Sequence, residues 1–152
     1  MASELSVHLE RVLPAAPQHV FSMLTDPELL AQWWGPQGFS APSVEVDARV
    51  GGRYRITMQP PEGDPFLLSG EFRAVDVANR LAYTFRWDPP DPDDRETVVV
   101  VSLQGLGEST ALAVDHGDFS TEERRALHEQ GWWESIDRLE ALLTTRGQSA
   151  PR

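Results

Sequence analysis

The chain has no cysteine, which excludes a disulfide frame, a thiolate nucleophile and cysteine-ligated zinc. No apolar run approaches the ~18 residues of a membrane helix. The opening "MASELSVHLE" lacks the basic-then-apolar pattern of a secretory signal. Basic clusters are equally missing, and the formal net charge is −11. A nucleic-acid interface needs a basic face to displace counterions, so that class is set aside. The same Coulomb sign disfavours an anionic membrane surface. These absences make a cytoplasmic protein the expectation, with the acidity serving solubility. Catalytic signatures are wanting too: there is no Gly-x-Ser-x-Gly elbow, no phosphate-binding glycine loop and no His-Glu-x-x-His. "HEQGW" (128–132) opens like the last of these but has no second histidine. The histidines are scattered without metal-ligand spacing, so neither a metal nor another cofactor is expected.

What the sequence does hold is alternation. Its 152 residues suit one domain spanning 1–152, with a folded core over 4–146 and a frayed tail over 147–152. Folding at this length removes about two thirds of the accessible surface, enough for a real core. "ELSVHLERVL" (4–13) reads as a strand, with Leu5, Val7 and Leu9 on one face. "PQHVFSMLTD" (17–26) and "TDPELLAQWW" (25–34) read as two short helices. Asp26 suits the N-cap of the second, and Pro27 its first position.

From residue 42 the chain reads as antiparallel strands. "SVEVDA" (43–48) and "RYRITM" (53–58) flank Gly51-Gly52, which supplies the positive φ of a tight hairpin. "FLLSGEFRAVD" (66–76) and "RLAYTFRW" (80–87) follow. In the latter, Leu81, Tyr83, Phe85 and Trp87 oppose Ala82, Thr84 and Arg86. "DPPDPDDRE" (88–96) is too rich in proline to pair in a sheet, and its default reading is a solvated loop rather than a cation site. "TVVVVSL" (97–103) and "STALAVDH" (109–116) form a last hairpin. Ser120 with Glu123 resembles a capping box. It opens an amphipathic helix to about Thr145, with Trp132, Ile136, Leu139 and Leu143 as its apolar stripe.

Seven strands at about 4.8 Å spacing make a sheet roughly 30 Å wide, whereas one helix is only about 10–12 Å across. A flat sheet would leave apolar surface bare. The fold class is therefore α+β: a curved antiparallel sheet wrapped around the long C-terminal helix, with the two short helices closing an open end. Such a wrap leaves a cavity between the concave face and the helix.

Four segments, "WWGPQGF" (33–39), "DARVGGRYRITM" (47–58), "NRLAYTFRW" (79–87) and "GWWESIDRLEALL" (131–143), resemble the SRPBCC or START-like superfamily. Within it they most resemble proteins similar to the activator of the heat-shock chaperone ATPase. That resemblance implies a helix-grip fold, like that of the birch pollen allergen, with an internal apolar cavity. It also implies one of three functions: binding a small hydrophobic or amphipathic molecule, stimulating a chaperone, or catalysis of the cyclase or hydrolase type.

Adjacent helical positions lie about 100° apart, so Trp33 and Trp34 cannot share a direction. Each buries about 200 Å², worth up to ~5 kcal/mol. One is expected to pack between the short helices and the sheet, the other to face the cavity mouth. Trp132 is expected on the inner wall; Trp133 flanks it, against a strand edge or in a homodimer contact. Gly131 costs helix stability, which a close backbone approach or room for a ligand would explain. His116 shares parity with Leu112 and Val114 and should point inward. It is either a satisfied structural group or an acid/base catalyst, with Glu45, Glu71, Arg73 and Arg86 as the inventory of partners. The leading expectation is a non-enzymatic binder of a small apolar ligand. Its mouth is framed by Trp33, Trp34, Phe39 and the loops near His116, and its walls by Tyr54, Ile56, Phe72, Tyr83, Phe85 and Trp132.

Overall fold

The computed structural model describes residues 5–148, with side chains as far as Thr144. Strand β1 (Val7–Leu13) leads into helices α1 (Pro17–Thr25) and α2 (Pro27–Leu30). Six strands follow: β2 (Ser40–Val46), β3 (Arg53–Gln59), β4 (Phe66–Asp76), β5 (Arg80–Asp88), β6 (Thr97–Gly105) and β7 (Thr110–Gly117). Helix α3 (Glu122–Gln148) completes the order, about 40 Å long at 1.5 Å per residue.

All neighbouring strands are antiparallel, in the order β1-β7-β6-β5-β4-β3-β2. Strands β1 and β2 are therefore the two edges, and α1 and α2 carry the chain from one edge to the other. The pairing is irregular between Ser40 and Ser43 and between Phe72 and Ala74; such bulges bend a sheet and increase its twist. The concave face meets Trp132, Ile136, Leu139 and Leu143, all buried on α3. Full burial of such side chains stabilises by about 1.5–3 kcal/mol each. This is the helix-grip architecture that the sheet-width argument requires.

Gly70 shows why the curve closes tightly on one side. A Cβ there would lie 1.9 Å from the Thr84 carbonyl oxygen and 2.6 Å from Tyr54 Cε1. With none, the Tyr54 ring lies across β4 and its hydroxyl donates to the Thr84 carbonyl at 2.6 Å. The Thr84 hydroxyl in turn accepts from the Glu71 N–H at 2.8 Å, next to the bulge.

The helix ends follow local chemistry, with one displacement. Asp26 caps α2 by accepting from the Glu28 N–H at 2.9 Å, and Pro27 occupies the first position. The helix itself stops at Leu30, short of the expected Trp34. Turn bonds continue to Trp34 before Gly35, at φ 105°, ends the path. At α3 the cap is Thr121 rather than Ser120. The Thr121 hydroxyl accepts from the Arg124 N–H at 3.1 Å, while the Ser120 hydroxyl donates to the Asp93 carbonyl. The loop after β5 folds back over the helix start and supplies that competing acceptor. Helix α3 continues past the expected end through Gln148, so the expected tail at 147–152 begins within it; residues 149–152 lie outside the described residues.

Candidate functional site

One end of the grip holds a cavity of about 620 Å³ that is open to solvent on one side. The strands supply Met58, Phe66, Phe85 and Trp87. Phe85 and Trp87 share the inward parity of β5, their rings 5.1 Å apart, and Phe66 meets Trp87 at 5.3 Å. Phe39 continues this wall, 6.2 Å from Phe66. Trp34 stands edge-on to Trp132 at 5.4 Å. Among the larger α3 residues that line the space, Leu127, His128 and Trp132, the helix sets two small ones, Gly131 and Ser135. A Cβ on Gly131 would meet only Pro36 Cγ, at 3.7 Å, and Ser135 turns its hydroxyl back to the Gly131 carbonyl at 2.8 Å. The space lies between the rings of the wall and this small-residue step of the helix.

The mouth is fastened to α3. Arg138 Nη1 donates to the carbonyls of Trp34 at 3.2 Å, Gly35 at 2.9 Å and Pro36 at 3.2 Å. The Gln37 N–H donates to Glu134 Oε1 at 3.0 Å. Burial holds the Arg138 guanidinium below its ordinary pKa. Across the mouth, Arg124 on α3 donates to Asp91 at 3.0 Å and Asp94 at 3.1 Å, and Arg95 donates to the Asp118 and Phe119 carbonyls at 2.7 and 3.2 Å. Pro89, Asp91 and Asp94 line the cavity. The acidic loop is thus a tethered part of the wall.

Two neutral histidines stand at that wall, His128 lining the cavity and His116 behind it, their rings 5.7 Å apart. An indole N–H only donates, so the Trp132 bond at 2.9 Å makes His116 Nδ1 an acceptor. His116 Nε2 then carries the proton and donates to the Thr97 hydroxyl at 2.7 Å. His128 has the opposite tautomer. Its Nδ1–H donates to the Arg124 carbonyl at 2.6 Å, and its Nε2 accepts from the Trp87 indole at 2.9 Å. Burial lowers both pKa values, and for His116 a charge on His128 would add to the effect.

The residues expected at the site separate into three groups. Trp34, Phe39, Phe85 and Trp132 line the large cavity. Tyr54, Ile56, Phe72 and Tyr83 do not; with Trp34 they line a separate void of about 20 Å³, room for no more than a water molecule. Trp33 and His116 line neither. Trp33 is fully buried, its indole N–H donating to the Met23 carbonyl at 2.9 Å, while His116 sits in the core with both nitrogens engaged. Glu45, Arg73 and Arg86 are exposed, and Glu71 pairs with Arg73 at 3.5 Å; none bonds to His116. Trp133 packs at the sheet edge, with the Arg11 guanidinium of β1 over its ring at 5.4 Å. Phe66, Trp87, His128 and Arg124 were not anticipated at the site. For His128 the signal was present: it lies four residues before Trp132, on the same helix face. Among the described residues no cluster suits a metal ion, and no helix is long and apolar enough to cross a membrane.

A curved antiparallel sheet closed on its C-terminal helix, with a cavity at one end of the grip, defines a helix-grip protein of the SRPBCC superfamily. The family model described as Activator of Hsp90 ATPase homolog 1-like protein matches residues 14–144, and the chain belongs to that family. A protein of Nitrosomonas europaea is similar in structure at TM-score 0.81 and 32% identity, the match covering 97% of this chain and 99% of that one. The AHSA1 protein of Silicibacter pomeroyi is similar at TM-score 0.81 and 31% identity, over 93% of this chain and 99% of that one. Among curated proteins, a formamidase of Bradyrhizobium diazoefficiens is 25% identical over 144 residues, 92% of this chain. The chain spans 40% of the length of that relative.

Proposed function

We propose that the protein binds a small apolar or amphipathic molecule in the cavity between α3 and the Phe66–Phe85–Trp87 wall. The observation that carries this reading is an aromatic-lined space of about 620 Å³, within the range of about 300–1,000 Å³ typical of small-molecule sites. A ten-carbon chain buried there gains about 8 kcal/mol at ~0.8 kcal/mol per methylene. Immobilisation offsets at least about 4 kcal/mol of that, so the polar end of the ligand decides whether binding is useful. Native mass spectrometry of freshly purified protein, then identification of released molecules, tests the reading together with titration of the neutral dye N-phenylnaphthylamine. A stoichiometric small molecule, or saturable dye binding competed by decanol, is expected. A bare mass together with no saturable dye binding would sink it.

The family match supports a second reading, a module that engages a chaperone ATPase. Co-sedimentation with a purified chaperone of that class tests it, and a complex that forms equally well with the cavity filled would favour it. The formamidase name of the curated relative supports a third, amide hydrolysis, checked by ammonia release from formamide. His116 offers that chemistry no free nitrogen in the resting fold.

A further inference from the structure

The charges around the cavity are one-sided. Its lining includes the carboxylates of Asp64, Asp91, Asp94 and Glu134 against one guanidinium, that of Arg124. That guanidinium is already engaged by Asp91 and Asp94, and Asp94 is buried beneath it. His128 adds no charge and no free lone pair, because Trp87 and the Arg124 carbonyl occupy its two nitrogens. Glu134 accepts only from neutral donors, the Gln37 N–H and the Gln130 amide, each at 3.0 Å. Among the described residues, neither Asp64 nor Glu134 has a cationic partner.

An anionic head entering this mouth meets a predominantly negative lining, and the one cation beside it that no carboxylate engages, Arg138, is spent on the Trp34, Gly35 and Pro36 carbonyls. A cationic head meets the reverse. The walls reinforce the preference, since Trp34, Trp87 and Trp132 all border the space and indole faces attract cations. Resting on the cavity-binding reading above, we propose that the ligand class is the cationic amphiphile: an apolar body carrying an amine or ammonium group, held with its charge between Asp64 and Glu134. Fatty carboxylates of the same length are disfavoured by the same charges. The apolar body fills the space opposite Gly131, and the head stays at the half-wet rim, where it keeps part of its hydration.

Calorimetric titration of the intact protein with decyltrimethylammonium, decanol and decanoate at low salt tests this. The ammonium is expected to bind at least about tenfold more tightly than either of the others. High salt reduces that margin. The double variant Asp64→Asn, Glu134→Gln, which keeps a side-chain acceptor at both positions, reduces it to within about threefold. Glu108→Gln, in the exposed β6–β7 turn away from the cavity, leaves the margin unchanged, and tetramethylammonium without a tail gives no saturable heat. Equal affinity across the three, or tighter binding of decanoate, overturns the inference while the cavity reading stands. An ammonium preference that survives intact in the double variant overturns it as well, because net charge alone would then be responsible. No saturable heat from any of the three overturns both.

Discussion

The concave face of the sheet carries two aromatic regions with opposite outcomes. Around Tyr54, Phe72 and Tyr83 the ring centroids lie 5.2–5.8 Å apart, and the enclosed space is about 20 Å³. Around Phe66, Phe85 and Trp87 the spacings of 5.1 and 5.3 Å are as short, yet the adjoining space is about 620 Å³. Ring packing on the sheet is therefore not what distinguishes them. Over the first region sit Leu24 and Leu30 of the short helices, and Gly70 lets Tyr54 sink onto β4. Over the second, α3 sets Gly131 and Ser135 among Leu127, Gln130 and Trp132, and no short helix covers it. Volume is decided by what faces the rings, not by the rings themselves.

Trp34 is the partition between the two regions, lining both spaces, so its removal should disturb the comparison most. Trp34→Ala is expected to destabilise by about 3–5 kcal/mol and to join the void to the cavity. Urea unfolding measures the first effect, and an enlarged ligand-size limit in the dye assay measures the second. A loss under about 1 kcal/mol would show that the surroundings collapse into the gap.

Filling the open region is the complementary test. Gly131→Leu places a branched side chain where a Cβ meets nothing nearer than Pro36 Cγ at 3.7 Å. Dye affinity should fall about a hundredfold, equivalent to ~2.7 kcal/mol. Stability should hold or rise, since glycine costs a helix interior about 0.8–1.0 kcal/mol relative to alanine. Undiminished dye binding would move the ligand elsewhere.

The smallest expected effect sharpens the comparison through pH. His116 and His128, beside the open region, bind a proton less readily folded than unfolded, mainly because of burial. Stability is accordingly intact above about pH 6.5 and falls as pH drops below it, by at most about 1.4 kcal/mol per pH unit for each group. His8, bonded to Asp115 and Glu10, has a raised pKa. Its small contribution is present below about 6.5 and fades as pH rises through its folded value. Thermal melts from pH 5 to 7.5 should show the acid-side loss, and His128→Gln should flatten it. A slope unchanged by that variant would assign the loss to His116 alone.

Much of the fold was legible because alternation and caps are local. The inward parity of β5, the stripe on α3 and the Asp26 cap each follow from a few neighbouring residues. The Ser120 cap failed for the opposite reason, since its hydroxyl is drawn to Asp93, 27 residues away. The site was legible only in part. Parity correctly turns Tyr54, Phe72 and Tyr83 inward, but whether an inward ring meets helix or empty space depends on how α3 and the loops lie across the sheet. Phe66 stands at the first position of β4, where alternation has barely begun. Trp87 was on the correct face, but its hydrogen bond to His128 joins residues 41 apart.

The edge-to-face indoles have a further, optical consequence. Trp33, Trp34 and Trp132 form a chain with both centroid spacings at 5.4 Å, close enough for their electronic transitions to mix. With the rings inclined at 64° and 83° rather than parallel, an exciton couplet in the ultraviolet circular dichroism is the expected signature of that mixing. A guest pressing on Trp34 and Trp132 would rotate one chromophore against the other. The protein carries its own unlabelled reporter of whether the space is filled.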